Sequence, residues 1–461
     1  MAEMNEQKIT AEQDENEVLA RDYSLKSLFV FVLPAIFTFV FISVYQTVDG
    51  LFIEKYVGPY AVAAVNLYYP VISLLLAVGM MIGTGGNAMI VELIGRGKKE
   101  EADRIFSEML LITILASIVL TVLELVFADP IMRLLGASDG NVEYLRSYYM
   151  ILTACAPAIM LQSAFSILIM GEGKNVTVGV LNVIGGMLNI VLDYIFMHTF
   201  GWGIRGAALA TAIGYIVPVL YGLWYYSPAG SSSYRLRLAK PEPRKLLLLC
   251  WNGSSEMVST LASGVTALFM NRLVFRFYGD MGVSVVSVFL YVQFILMAVF
   301  LGMTAAVEPL FSYHYGTGNI PMRKKLFRLS MQLTAIFSVL ITVLLALFYR
   351  QAAAGFFPPD TAAEFYELTC RSLLFSLPAC LVTGFNIFAS GLFTAFSNGA
   401  VSALLSCLRT FVILSLSLFA LCAIFGADGL WASWWVTEAL SLILSIVLLL
   451  KYRRRYFATP K

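Results

Sequence analysis

Apolar runs of twenty residues or more follow one another along almost the whole chain, separated by short polar breaks. A hydrocarbon core about 30 Å thick is crossed by roughly 20 helical residues. On that basis the pattern predicts twelve spans: 28–50, 62–93, 104–127, 146–170, 176–198, 206–226, 246–278, 283–312, 326–349, 368–392, 399–425 and 429–450. Pro34 in the first span and Pro378 in the tenth each remove a backbone donor and permit a bend. The breaks also give an orientation. Of the 31 Lys and Arg, 22 lie in the tails and loops on the side of the N-terminus, 8 lie on the opposite side, and Arg409 falls inside the eleventh span. Basic residues collect on the cytoplasmic side, so both termini are expected there and the span count is expected to be even.

The chain also resembles itself. At an ungapped offset of 221, Gly58 falls on Gly279, Val62 on Val283, Val71 on Val292, Gly95 on Gly316, Gly97 on Gly318, Phe106 on Phe327 and Pro157 on Pro378, with nine identities in the forty positions from 58 to 97. The shift carries the second span onto the eighth, a step of six helices. The two halves therefore point the same way, as parallel repeats related by an axis along the membrane normal, a plan suited to two bundles rocking about a central site. The expected organisation is an all-α polytopic membrane protein: a cytoplasmic tail (1–27), an N-lobe of six helices (28–226), a basic linker (227–245), a C-lobe of six helices (246–450) and a basic tail (451–461), with a cleft between the lobes.

Composition agrees. Of 461 residues, 59% are hydrophobic and 13% charged, and the mean hydropathy is +0.80. That apolar content exceeds the roughly 45–50% of soluble domains and excludes a soluble enzyme. A formal charge of +2 gives no basic patch for nucleic acid. Six separate Cys without a C-x-x-C pair and only two His argue against a disulfide framework or a structural metal site. The polar, acidic first 27 residues do not read as a cleaved signal. No G-x-x-x-x-G-K-[ST] pattern occurs, and Gly171-Glu172-Gly173-Lys174 lacks a strand-to-helix setting, so no nucleotide is expected as an energy source.

An ionisable group at membrane depth costs several kcal/mol and marks function by default. Asp49 near the outer end of the first span, Asp193 in the outer part of the fifth and Thr211 early in the sixth share one depth band, and Asn189 stands four residues before Asp193 on the same helix face. Two carboxylates, an amide and a hydroxyl at one level suit a hard cation or a shared proton. The alternative is helix-end residues wetted by headgroups. Glu256 lies deeper, about ten residues into the seventh span among Asn252, Ser254, Ser255, Ser259 and Thr260, and reads either as a protonated structural group or as a cavity carboxylate that meets a cation. Glu92 is expected to be solvated, and Glu308 to line the inner mouth or form a structural hydrogen bond. Tyr45, Gln46, Tyr68, Met80, Gln162, Phe269, Asn271, Tyr291 and Gln293 are candidates to line a cleft for bulky organic cations, although packing is the commoner role for aromatic and Met side chains.

Several segments together resemble the multidrug and toxin extrusion (MATE) transporters. Val48-Asp49-Gly50-Leu51-Phe52-Ile53 with Gly58, Ala63-Ala64-Val65 and Pro70 is similar to the first two helices of that family; Asn189 to Asp193 and Gly206 to Thr211 are similar to its fifth and sixth. Ser254-Ser255-Glu256, Pro309 to Tyr313 and Phe425 to Trp431 resemble segments of the second half, especially in the bacterial MepA-like branch. The resemblance runs from about residue 25 to 450. It implies a V-shaped secondary antiporter of the cytoplasmic (inner) membrane that exports amphipathic, cationic compounds in exchange for Na⁺ or H⁺, without a cofactor and as a monomer. It further implies that Asp49, Asn189, Asp193 and Thr211 form a cation site, that Glu256 is a coupling carboxylate and that the helix bends at Pro34. Glu308 departs from the Gln common there. The rival expectations are a flippase for lipid-linked saccharides, which would want basic residues in its spans, and an intramembrane enzyme, for which no H-E-x-x-H motif exists.

Overall fold

The computed structural model describes residues 17–135, 142–237, 242–357, 359–360 and 363–458; within its helices the side chains of 46–47, 51, 54, 59–60, 62–63, 263–268, 271, 280–281 and 283 fall outside that description. The order is α1 (Leu25–Tyr56), α2 (Pro59–Gly95), α3 (Lys99–Val126), α4 (Ala128–Leu134), α5 (Val142–Ala154), α6 (Ala156–Gly171), α7 (Asn175–Asp193), α8 (Ile204–Tyr225), α9 (Pro243–Gly316), α10 (Ile320–Phe356), α11 (Ala363–Ala395), α12 (Gly399–Cys407), α13 (Leu414–Phe425) and α14 (Ala427–Phe457). Ten helices among the described residues are long and apolar enough to cross a membrane, and α5 with α6 makes one further, bent span. This is a multi-pass membrane protein. The predicted seventh span, 246–278, is the first arm of α9; it is helical but lies outside that count.

Three features depart from the sequence pattern. The predicted fourth span is broken, α5 and α6 meeting at 53° around Cys155, where Pro157 begins a new helix. The seventh and eighth spans are the two arms of α9, which is kinked at Gly279, where φ 60° and ψ −147° are non-helical. The polar C-terminal tail continues α14 to Phe457, because Tyr456 buries its ring on Phe396 (4.5 Å) and accepts a hydrogen bond from Asn398 Nδ2 (2.6 Å). α1 runs unbroken through Pro34. Residues 1–16 and 459–461 of the predicted tails lie outside the described residues.

The repeat is written in the backbone. Gly58 and Gly279, Gly97 and Gly318, Gly173 and Ser397, and Gly203 and Gly426 all have positive φ, and each pair ends corresponding helices. Ser397 is the one non-glycine among these and holds a left-handed φ of 53°. The spacing drifts from 221 at the first two pairs to 224 and 223 at the last two; α5 and α11 begin 221 apart, at Val142 and Ala363, while α6 and α11 end 224 apart, at Gly171 and Ala395, so the drift enters within that span.

The lobes meet on the side of the basic loops, called inner here. A Cβ on Gly95 would stand 2.2 Å from Tyr313 O, and one on Gly316 2.0 Å from Glu92 O. Deeper in, a Cβ on Gly253 would lie 1.9 Å from Met81 O and one on Gly85 2.0 Å from Leu249 O. Bare backbone touches bare backbone at these crossings. Glu92 is buried, not solvated: it accepts from Ser397 Oγ of the second lobe (2.5 Å) and pairs with Arg96 (2.5 Å). Asp22 ahead of α1 pairs with Lys325 of α10 on the same side. Glu92→Gln keeps the shape but replaces a charge-assisted contact worth roughly 1.5–3 kcal/mol by a neutral one. It should lengthen the distance between spin labels at the exposed Glu101 and Lys324; an unchanged distance would remove Glu92 from the seal.

The linker lies on the first lobe. Ser232 Oγ donates to Glu172 Oε1 (2.9 Å), Arg235 N donates to Asp103 Oδ1 (3.1 Å) and Arg237 N donates to Ser107 Oγ (2.8 Å). Gly171-Glu172-Gly173-Lys174 thus caps α6 and anchors the linker. Burial pushes the Glu172 carboxyl above its usual range, and Lys174 and the hydroxyls of Tyr225 and Ser232 pull it back.

Candidate functional site

Asn189 and Asp193 occupy the last turn of α7, whose apolar neighbours bury that face against α1 and α8. Directly after Asp193 the helix widens into a π-turn, Tyr194–Thr199, a form concentrated at functional sites. Asp49 comes from α1 and Thr211 from α8. The Asp49 and Asp193 carboxyl groups meet within hydrogen-bonding range. No other donor among the described residues reaches Asp49 Oδ1 or either oxygen of Asp193, and Asp193 is fully buried.

Such a pair cannot carry two charges unaided. Unit charges about 4 Å apart repel by about 4 kcal/mol at an effective dielectric near 20, before any desolvation cost. A proton shared between the oxygens, or a small cation drawn to them, removes that term. The surroundings offer neutral oxygens for the purpose. Asn189 Nδ2 donates to Thr211 Oγ1 (3.4 Å), which leaves the Asn189 amide oxygen available. The Tyr148 hydroxyl reaches Thr211 and stands beside Asp49, as does the Tyr215 ring system.

A cavity of about 30 Å³ is lined by Asn189 and Thr211 of the site together with Tyr45, Gln162, Asn182 and Gly185, with Tyr215 and Pro218 on its α8 wall; the two carboxylates themselves do not line it. The volume is room for a water molecule or a bare ion, not for a drug. Gln162 Nε2 donates to Asn182 Oδ1 (3.0 Å) across it. Tyr45 and Gln162, expected along an interlobe cleft, therefore belong to the interior of the first lobe. So does Tyr68, 1% exposed and set edge-on against Tyr148 (5.6 Å) and Tyr149 (5.4 Å).

The other candidates divide. Glu256 and Glu308, read separately from the sequence, feel each other's charge across the two arms of α9. Glu308 packs on α11, where a Cβ on Gly391 would lie 2.4 Å from its Oε1. Thr260, one turn beyond Glu256, donates to Met80 Sδ (3.9 Å) and so links the lobes. Phe269 turns away into the second lobe, edge-on to Phe419 (5.9 Å), and Gln293 is buried. Tyr291 is 47% exposed. The side chains of Gln46 and Asn271 lie outside the described residues.

The sequence reading passed over Tyr148, Tyr215, Asn182 and Glu124. Glu124, near the outer end of α3, is buried with neither oxygen partnered, close to Thr153 and the Tyr68 hydroxyl. In sequence it is one acid at the end of an apolar run, indistinguishable from a headgroup-wetted terminus. Arg409, the one basic residue read inside a span, donates to Glu438 Oε1 through Nε (3.1 Å) and its terminal nitrogen (2.6 Å).

Two parallel six-helix lobes with a buried acid pair in one of them define a membrane transporter architecture, and the comparisons agree. The MatE family model matches twice, over residues 34–195 and 257–419, so each lobe is one copy and the chain belongs to the MatE family. The multidrug export protein MepA of Staphylococcus haemolyticus (strain JCSC1435) is 24% identical over 434 residues, covering 93% of this chain and 94% of its own. MepA of Staphylococcus aureus (strain MRSA252) is also 24% identical, over 437 residues, with the same coverage. Among solved structures, a MATE protein in complex with MaL6 superposes with a TM-score of 0.90 at 23% identity, covering 96% of this chain and 99% of that one. An outward-facing multidrug resistance MATE family transporter superposes with 0.89 at 23% identity over 96% and 98%. At that identity the superpositions show the fold.

Proposed function

We propose that the protein is a secondary antiporter of the cytoplasmic membrane, with both termini inside, that exports amphipathic organic cations in exchange for Na⁺ or H⁺. The observation that carries this reading is the buried Asp49–Asp193 pair with three unpartnered oxygens, in a site whose Asn189 and Thr211 line a cavity of ionic size. The cation enters from outside, satisfies Asp49, Asp193, Asn189 and Thr211, and favours one packing of the first lobe; its loss to the inside favours the other. Substrate does not fit that cavity, so it binds between the lobes, where Glu256, Glu308, Met80 and Tyr291 offer carboxylates and soft apolar surface. Pro34, in the helix that carries Asp49, is the place where α1 bends when the packing changes. A differential ion affinity of about 100-fold between the two states supplies about 2.7 kcal/mol, enough to invert a modest bias.

The function of the MepA relatives supports drug export as the activity. A carrier of lipid-linked sugars would need free cationic groups for pyrophosphate, and Arg409 is committed to Glu438. The test is uptake of a fluorescent organic cation by proteoliposomes under a Na⁺ gradient and a pH gradient imposed separately. One gradient should drive accumulation above the gradient-free level; movement under neither would sink the proposal.

A further inference from the structure

The helix ends fix how the lobes correspond beyond α6. α6 ends at Gly171 and α11 at Ala395, and α7 begins at Asn175 and α12 at Gly399, both 224 apart; α8 begins at Ile204 and α14 at Ala427, 223 apart. In this register three residues lining the first-lobe cavity, Gln162, Gly185 and Tyr215, fall on Asn386, Arg409 and Glu438. Those three are bonded to one another: Arg409 donates to Glu438 Oε1, and Asn386 Nδ2 donates to Glu438 Oε2 (2.7 Å) while Asn386 Oδ1 accepts from Ser445 Oγ (2.9 Å). Arg409 also sits in a π-turn, Leu408–Ile413, which in this register lies about ten residues ahead of the position matching the widened turn after Asp193. Where the first lobe has a glycine and a void, the second has a guanidinium with its counter-ion.

We infer that Arg409 is a tethered cation. It permanently fills in the second lobe the place that a mobile cation takes in the first. The second lobe is thereby held in its cation-bound packing at all times, and only the first answers to the ion gradient. This rests on the reading of the Asp49–Asp193 site, but the tethered charge can be tested without it. Arg409 retains 12% side-chain exposure, so a small solute can reach its place once the side chain is removed.

The experiment uses full-length purified protein and follows its melting temperature. Asp49→Asn/Asp193→Asn should show no specific response to Na⁺ or to methylguanidinium. Adding Arg409→Ala should lower the melting temperature and create a saturable recovery with methylguanidinium, and with the coupling ion itself, that tetramethylammonium does not give. Adding Glu438→Gln on top should abolish the recovery. Because the first-lobe acids are already neutralised, failure here is distinct from failure of the antiport reading. A folded Arg409→Ala protein without recovery, or one whose recovery survives Glu438→Gln, overturns the inference. If Arg409→Ala does not insert, Glu438→Gln alone carries the test in reverse: the freed guanidinium should make stability depend on formate, and indifference to formate overturns it equally.

Discussion

Asp49→Asn and Asp193→Asn proteins should reach the membrane folded and yet show no gradient-driven uptake of an organic cation, under Na⁺ or under ΔpH. Asn is nearly isosteric with Asp but can neither release a proton nor hold a charge, so the site reads as permanently neutralised. The lobe then keeps one packing whatever the gradient, and transport falls to the passive level, a loss of at least about 10-fold if coupling supplies only 1.4 kcal/mol. Stability should move the other way. Three buried oxygens without donors are a standing cost in the native protein, and removing an unpaired buried charge is neutral or favourable. Melting at or above the parent temperature with abolished uptake is therefore the signature. Full uptake by both variants would mean the pair is structural, and joint loss of uptake and folding by both would leave packing, not ion binding, as its role.

Gly316→Ala should unseat the inner contact between the lobes. The added Cβ would lie 2.0 Å from Glu92 O and 3.1 Å from Arg96 N, where ordinary contacts start near 3.4 Å, and the atoms it meets are main chain, which has no rotamer to give way. Overpacking of this kind costs about 1–3 kcal/mol. Charged against the inner-closed state alone, that is a shift of roughly 5- to 150-fold toward the opposite opening. Spin labels at Glu101 and Lys324, exposed on the inner ends of the two lobes, should report a longer distance distribution in the variant. The same distribution in both proteins would show that the helices slide past the new methyl group and that the crossing does not govern closure.

Much of this architecture can be read from the chain because bilayer thickness imposes it. Each span must be about twenty apolar residues long whatever it packs against, and the loops must sort their charges. The paired G-x-G loops announce the repeat for an equally local reason: Gly97 and Gly318 sit at φ near 70° at the ends of their helices. Asp49, Asn189, Asp193 and Thr211 stand out because polar groups in lipid are scarce. What is hidden depends on partners distant in sequence. Tyr148 and Tyr215 look like interface aromatics until the fold turns them toward Asp49, and Tyr68 until it turns toward Glu124. Glu92 looks solvated until Ser397 of the other lobe covers it. The break at Cys155 follows from Pro157, yet Pro378, Pro70 and Pro218 lie inside unbroken helices, so proline alone does not announce a corner. The three-residue drift between repeats is invisible to an ungapped comparison, and with it the correspondence of Gly185 with Arg409.

The anchored linker sets a mechanical advantage. Arg104 of α3 holds Glu242 (2.6 Å), and Asp103 holds Arg237, so the first lobe grips the chain up to the residue before α9 begins at Pro243. A swing of the second lobe about that fulcrum acts on a short arm of about 15 Å to Gly253 and a long arm of about 54 Å to Gly279, at about 1.5 Å per residue. A turn of about 10° would then part the glycine crossing by roughly 2.6 Å while carrying the far elbow through roughly 9 Å, both from the same 1.5 Å rise. Fine clearance at one end and a wide stroke at the other come from a single pivot.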